Sequence, residues 1–400
     1  MSGAVAPRHL RPRGDGARQR TTEVELFFDL VFVFAITRLS QLVLDDLTIR
    51  GLARAAVLLV VLWWAWIYTT WLANWLNPES KEVRVLLMGG AMCSLLAAAA
   101  IPGAFESHGL LFALAYVGFQ VGRNAAATIL PPAGHHLRLT FARVLFWSVL
   151  TGVVWIAGAI ADPHERLIIW GAALAMELVA PALGYPTPLL GRSRTEDYDI
   201  EGRHFAERCE GFVIIALGES IAVAGATAAS AGLATTTVFA LILAFLGTAA
   251  LWWLYFDIAG DQSRQVIVDS EQAGRLARDG YTYIHVLIVA GIIAVAIGDN
   301  LLLAQPTHHL GGVGAATVLG GPALFLLGET LFRLRMTSTI SPRRLACVLA
   351  FALLAPISTS VSAVALVGIV TAILILLALS EQLTASSGHD RATFGGVTVT

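Results

Sequence analysis

Apolar residues run in stretches of about 20 from one end of this chain to the other, broken by short polar punctuation. A helix rises 1.5 Å per residue, so about 20 such residues cross the ~30 Å hydrocarbon core of a bilayer. The pattern predicts twelve spans. The first six cover residues 25–44, 53–75, 84–101, 109–130, 140–160 and 166–184. The second six cover residues 207–229, 235–257, 281–303, 313–332, 343–357 and 360–380. The last pair forms one apolar stretch interrupted only by Pro356 and Ser358-Thr359-Ser360, so a count of eleven stays open. The fold class is all-α, a polytopic transmembrane helical bundle.

The two sets of six look alike. Glu25 opens span one and Glu207 opens span seven, each ahead of a Phe/Val/Ile run. Trp63-Trp64 in span two has a counterpart in Trp252-Trp253 of span eight, and Gln120 in span four matches Glu329 in span ten. Six helices per half bring both halves into the membrane in the same sense. That is a 6+6 parallel internal repeat, an arrangement known in transporters. The expected organisation is a disordered cytoplasmic tail (1–21), a first half (22–184), a cytoplasmic linker (185–204), a second half (205–380) and a second cytoplasmic tail (381–400). The polar stretch 258–280 suits a surface helix.

Composition agrees with a membrane protein. Of the 400 residues 56% are hydrophobic and 14% charged, against about 25% charged in soluble domains. A net charge of −2 argues against a nucleic-acid partner. Cys93, Cys209 and Cys347 have neither zinc nor disulfide spacing. Residues 1–20 hold five arginines and no apolar core, so they are no signal peptide. With the N-terminus in the cytoplasm, inner segments hold 21 Lys and Arg, outer segments hold 3, and Arg38 and Arg208 lie within or at the edge of helices. The positive-inside rule therefore puts both termini inside.

Charges inside the apolar runs mark the candidate chemistry. A charged side chain at the bilayer centre costs about 2.5–3.5 kcal/mol on insertion scales, so it normally faces protein or a water-filled cavity. Glu25 and Asp29 share a helix face, whereas Arg38, nine residues beyond Asp29, points to the opposite side. Asp29 therefore needs a partner from another helix. In span seven Glu207 and Arg208 sit at the cytoplasmic edge, and Glu219 lies nine residues past Glu210, about 13 Å deeper. Overlaying the repeats sets Arg38 level with Glu219, so these two are expected to meet between the halves.

Glu177, near the middle of span six, suits a proton-linked acid or a structural ion pair. His285 fits a proton relay or a satisfied core histidine. Asp257 and Asp299-Asn300 read as caps at helix ends, and Glu329 as the local partner of Arg333 four residues on. Trp64, Tyr68, Trp71 and Trp75 form a stripe on one face of span two. An interfacial aromatic belt accounts for Trp71 and Trp75, while Trp64 and Tyr68 line a ligand cavity or pack against lipid or helix. Glu201, His204 and Glu207 have helical Glu-x-x-His spacing but no second copy, and no metal, cofactor or catalytic residue is expected.

Two motifs carry a resemblance. Glu25–Phe34, reading Glu-Leu-Phe-Phe-Asp-Leu-Val-Phe-Val-Phe, and Glu207–Ile221, reading Glu-Arg-Cys-Glu-Gly-Phe-Val-Ile-Ile-Ala-Leu-Gly-Glu-Ser-Ile, stand beside an aromatic-rich second helix. Over about residues 22–380 the chain resembles the bacterial low temperature requirement protein A (LtrA) family. The resemblance implies a multi-span inner-membrane protein linked by its name to growth in the cold, with no assigned catalytic residues. Three readings stay open. The first is a secondary transporter or permease for a small polar or anionic solute, proton-coupled through Glu219 or Glu177. The others are a non-transporting protein supporting envelope function or stress tolerance, and an integral-membrane enzyme on a lipid-like substrate. The expected partners are the bilayer and a small solute or proton.

Overall fold

A computed structural model describes residues 9–12, 20–194, 198, 200–256 and 261–394. Asp257, most of the first tail and residues 395–400 lie outside these residues. The long helices are α1 (Glu23–Asp45), α2 (Ile49–Trp75), α3 (Lys81–Ala100), α4 (Gly109–Ile129), α5 (His136–Ile160), α6 (Pro163–Ala182), α7 (Gly202–Ala231) and α8 (Thr235–Tyr255). Two short helices follow, α9 (Asp261–Asp269) and α10 (Ala273–Leu276). A π-helical stretch, Ala277–Ile284, leads into α11 (His285–Ala304), then come α12 (Gly312–Thr337), α13 (Pro342–Leu354) and α14 (Ala363–Phe394). No strand occurs among the described residues.

Local chemistry sets several helix ends. The Glu25 carboxylate reaches back to accept from the backbone N–H of Thr22 at 2.8 Å, one half of a capping box. The Thr48 hydroxyl accepts from the N–H of Gly51 at 3.1 Å at the start of α2. Asp162 accepts from the N–H of His164 at 2.8 Å, and Pro163 opens α6 where no N–H is needed. Pro356 sits in a 3-10 turn, Ala355–Ser360, that divides α13 from α14. The stretch left open between one span and two is therefore two helices.

Ten helices among the described residues are long and apolar enough to cross a membrane. The helices α4 and α6 stay outside that set. Gln120, Arg123 and Asn124 dilute the apolarity of α4, and Glu165, Arg166 and Glu177 that of α6. Burial follows the logic of a lipid-facing protein. Large apolar side chains such as Phe239, Ile242 and Phe245 on α8 are exposed, while Glu25, Asp29, Arg123, Arg208, Glu329 and Arg344 are buried.

The chain divides into two compact units. Unit one holds residues 1–215 and 267–278, and unit two holds residues 216–266 and 279–400. The first part of α7, up to Ile215, thus belongs with α1–α6 in unit one. In unit one α4 packs on α3 and α5, α6 packs on α5, and α1 packs on α2 and α3. Trp63 and Trp66 of α2 meet Phe212 of α7 at ring-centroid distances of 5.4 and 4.4 Å. Trp71 and Trp75 are also buried, against Phe205 at 4.9 Å and Phe141 at 5.4 Å. Both serve the core of unit one rather than an interfacial belt, because α2 is enclosed along this length.

In unit two α11 packs on α12 and α8 on α14. Glycine makes the α11–α12 contact: a Cβ on Gly291 would stand 2.5 Å from the Phe325 nitrogen, and one on Gly321 would stand 2.8 Å from the Val295 nitrogen. Backbones meet there without side chains between them. Trp252 and Trp253 are exposed on α8, whereas Trp63 and Trp64 are buried on α2, so the matched tryptophan pairs do different work.

Candidate functional site

Unit one gathers the charges of α1 and the start of α7 into one buried network. Glu25 and Asp29 stand one helical turn apart, and so do His204 and Arg208. The Nε2 of His204 lies 2.8 Å from Glu25 Oε1. Arg208 donates through Nη1 to Asp29 Oδ2 at 2.6 Å and through Nη2 to Oδ1 at 2.8 Å. Phe32 then meets Phe212 at 6.0 Å. Because the contacts keep the same order along both chains, α1 and this part of α7 run parallel, side by side.

Further side chains hold these groups in place. Trp66 Nε1 donates to Asp29 Oδ1 at 2.7 Å, and the Arg208 guanidinium lies 5.5 Å from the Trp66 ring. Asn74 Oδ1 accepts from the N–H of Glu201 at 2.8 Å, so its amide nitrogen faces His204 Nδ1 at 3.2 Å. Nδ1 must then accept, which leaves the proton on Nε2 to be given to Glu25. His204 is therefore the neutral Nε2–H tautomer. Arg11 completes the set, donating to Glu25 Oε2 at 2.8 Å.

Arg11 comes from the stretch expected to be a disordered tail. His9–Pro12 is anchored instead: Arg11 N donates to Trp75 O and Asn77 N to His9 O, both at 2.9 Å. Burial lowers the Arg11 guanidinium from its ordinary pKa, and Glu25 opposes that shift. Two carboxylates and two guanidiniums around a neutral histidine leave the network with no net charge.

A second polar cluster in unit one lies among α2, α4, α5 and α6. Glu177 Oε2 accepts from the Tyr116 hydroxyl at 2.6 Å. Its Oε1 accepts from Thr151 Oγ1 and Trp155 Nε1, each at 3.0 Å. Gln120 Nε2 donates to the Tyr116 oxygen at 2.9 Å, and Gln120 Oε1 accepts from Arg123. Every link from Arg123 through Gln120 and Tyr116 to Glu177 points the same way. Arg123 also donates to Ala65 O at 2.9 Å and lies over the Tyr68 and Phe119 rings at 5.4 and 5.1 Å.

This relay borders a cavity of about 20 Å³, lined also by Trp64, Asn124, Ser148 and Tyr185. Such a volume holds about one water molecule. Two buried polar atoms beside it, Arg123 Nε and Asn124 Oδ1, have no hydrogen-bond partner among the described residues. The hydroxyls of Tyr68 and Tyr185 touch. Tyr185 sits just past α6 with a left-handed φ of 51°, and the following loop is held down from α5. Arg143 donates to Leu190 O at 2.6 and 2.9 Å, and Trp147 donates to Pro186 O at 3.1 Å.

The expected site residues thus separate into several places. Glu25 and Asp29 join the ion network. Glu177, Trp64 and Tyr68 come together at the cavity. Glu207 is half-buried and hydrogen-bonded to nothing among the described residues. Arg38 donates to Gln41 of its own helix at 2.8 Å, while Glu219 is buried on the part of α7 that belongs to unit two. His285 also lies in unit two, 2.9 Å from the Tyr255 hydroxyl and stacked 5.5 Å from Tyr281. Glu329 pairs with Arg344 at 3.0 Å rather than with Arg333, which reaches Glu381 at 3.7 Å. Asp299, read as a cap at a helix end, is buried and accepts from Ser220 at 3.3 Å.

Sequence reasoning missed Arg11, His204, Arg208, Arg123 and Asn124 as partners. For His204 and Arg208 a signal existed: two basic side chains spaced four apart match two carboxylates spaced four apart.

Helices with apolar exteriors and buried, hydrogen-bonded charges define a multi-pass membrane protein. Residues 20–379 match the family model for bacterial low temperature requirement A protein (LtrA), and the chain belongs to that family. It is also 39% identical, over 320 residues covering 80% of this chain and 78% of the relative, to uncharacterized protein RA0937 of Rhizobium meliloti (strain 1021). No solved structure matches the chain.

Proposed function

We propose that this protein is a secondary transporter of a small polar or anionic solute, linked to proton movement through Glu177. The observation that carries the reading is the relation of Arg123 to Glu177. Among the described residues these buried opposite charges are joined through Gln120 and Tyr116, beside a cavity with two polar atoms that have no hydrogen-bond partner there. A structural ion pair gains most by direct contact; a held-apart pair leaves each charge available to a visitor. Arg123, rather than Arg38, is then the anchor for the solute. Tyr68, Tyr185 and the loop that Arg143 pins close the chamber, and a solute enters when that loop lifts.

In this reading α4 and α6 cross the membrane as well, giving twelve spans with both termini in the cytoplasm of a bacterial inner membrane. At 21 residues α4 is about 31 Å long, enough to span, and its polar side chains turn toward α2 and α5. A 6+6 repeat remains part of the proposal, supported by the matched positions of Glu25 with Glu207 and Gln120 with Glu329.

The test is proton flux into liposomes carrying the purified protein, read with an internal pH dye across candidate solutes. Wild type is expected to acidify the lumen in a solute-dependent way, and Glu177→Gln to fall to the level of empty liposomes. Equal flux in both proteins, or none in either, removes the proposal. The second reading, a non-transporting protein supporting envelope function or stress tolerance, draws on the direct ion pairs of Glu25 with Arg11 and of Asp29 with Arg208. It expects no flux, together with loss of cold growth on deletion.

A further inference from the structure

We propose that Asp299, Ser220 and Thr248 form a binding site for a monovalent cation, with Na+ as the fitting ion. The site lies wholly within unit two. Asp299 of α11 is 4% exposed, and its one hydrogen bond among the described residues is from the Ser220 hydroxyl at 3.3 Å. Ser220 of α7, 1% exposed, lies 3.1 Å from the Thr248 hydroxyl of α8, itself 4% exposed. No guanidinium, ammonium or imidazole pairs with this carboxylate among the described residues. The other buried carboxylates with known partners are treated differently. Glu25, Asp29 and Glu329 each have an arginine, and Glu177 has three donors.

A buried carboxylate with one weak donor demands compensation. A proton supplies it, but a proton alone does not account for two more buried hydroxyl oxygens brought there by two other helices, Ser220 beside the carboxylate and Thr248 beside Ser220. Hard cations take oxygen ligands at about 2.3–2.6 Å, so neighbouring ligands on one shell stand roughly 3–3.5 Å apart. The spacings of 3.1 and 3.3 Å here fall in that range. One carboxylate sets the charge of the guest. A monovalent ion makes the site neutral, whereas a divalent ion leaves an unpaired positive charge in a low-dielectric interior. The close-packed core around it keeps the ligands near one another: Gly247, next to Thr248, lies against the Thr371 hydroxyl, 3.3 Å from where a Cβ would be.

The experiment is thermal unfolding of the full-length protein in detergent, titrated with NaCl against choline chloride at constant ionic strength, with 22Na+ binding as a second readout. Neither depends on transport, so the result stands apart from the liposome assay. Wild type is expected to show a saturable rise in unfolding midpoint with Na+, since a ligand bound only by the native state stabilises it. Thr248→Val, nearly isosteric, is expected to keep the choline midpoint and weaken apparent Na+ affinity roughly 10–100-fold. Ser220→Ala is expected to do the same, and Asp299→Asn to abolish the shift. Should Asp299→Asn fail to fold, the two hydroxyl variants still decide. Equal midpoints in Na+ and choline for wild type, a response to pH alone, or an undiminished Na+ shift in Thr248→Val and Ser220→Ala each overturn the assignment.

Discussion

Arg208 grips Asp29 with both terminal guanidinium nitrogens, at 2.6 and 2.8 Å, where both side chains are almost wholly enclosed. Withdrawing two charges from water costs several kcal/mol per ion, and their attraction repays that only with good geometry. Bidentate pairing plus the Trp66 hydrogen bond is such geometry. The consequence of the pair is clearest when one member is removed. Arg208→Met is expected to lower stability by about 3–5 kcal/mol, because Asp29 stays buried without a cation. Adding Asp29→Leu is expected to recover most of that loss. Unfolding midpoints of purified protein in detergent check both, and a double variant as unstable as the single one contradicts the argument.

Arg11 gives a second expectation. Its hydrogen bond to Glu25 ties His9–Pro12 to the foot of α1. Arg11→Gln removes one of the two cations that balance Glu25 and Asp29, and is expected to cost about 1.5–3 kcal/mol, the usual range for a hydrogen bond to a charged group. Screening by salt weakens exposed pairs more than buried ones. The difference between wild type and Arg11→Gln should therefore persist at high NaCl. A difference that vanishes with salt would mean that the contact is a surface pair.

The helices were legible because a 3.6-residue period matters little when a whole run must be apolar; length alone marks the spans. Even the break at Pro356 was visible. Harder to read were α4 and α6, whose polar residues are spent inside unit one and so weaken the signal of crossing. Glu25 and Asp29 announced that partners were needed but not which, since pairing joins residues 179 positions apart. The equal four-residue spacings of Glu25–Asp29 and His204–Arg208 were the one readable clue. Asp299 was misread for a different reason. Near a helix end an acid usually faces water, and only tertiary packing shows that Ser220 covers it.

Glycine packing between α11 and α12 yields a third expectation. A methyl group on Gly321 would lie 2.8 Å from the Val295 nitrogen and 3.1 Å from the Ala294 Cβ, neither of which is a flexible side-chain end. Gly321→Ala is expected to push the helices apart at a cost of about 1–3 kcal/mol. Gly320→Ala, where the added Cβ meets nothing within 4 Å, is the control and should be neutral or slightly stabilising. Equal midpoints for the two variants would show that the helices do not meet this closely.

Single cysteines test whether α4 and α6 cross and which way the chain faces. In a background lacking Cys93, Cys209 and Cys347, one reporter goes into each exposed connection. Ile49 and His164 lie in the first turns of α2 and α6 and Glu106 precedes α4; at the opposite ends, Lys81 opens α3 after α2, and Ala133 and Leu189 follow α4 and α6. Cations concentrate near the second group, and cytoplasmic loops carry that excess. Cysteines at Ile49, Glu106 and His164 are therefore expected to react with a membrane-impermeant maleimide in intact cells. Those at Lys81, Ala133 and Leu189 are expected to react only after permeabilisation. If α4 does not cross, Glu106 and Ala133 will label from the same side. If the whole pattern is reversed, the arginines face outward and the orientation is wrong.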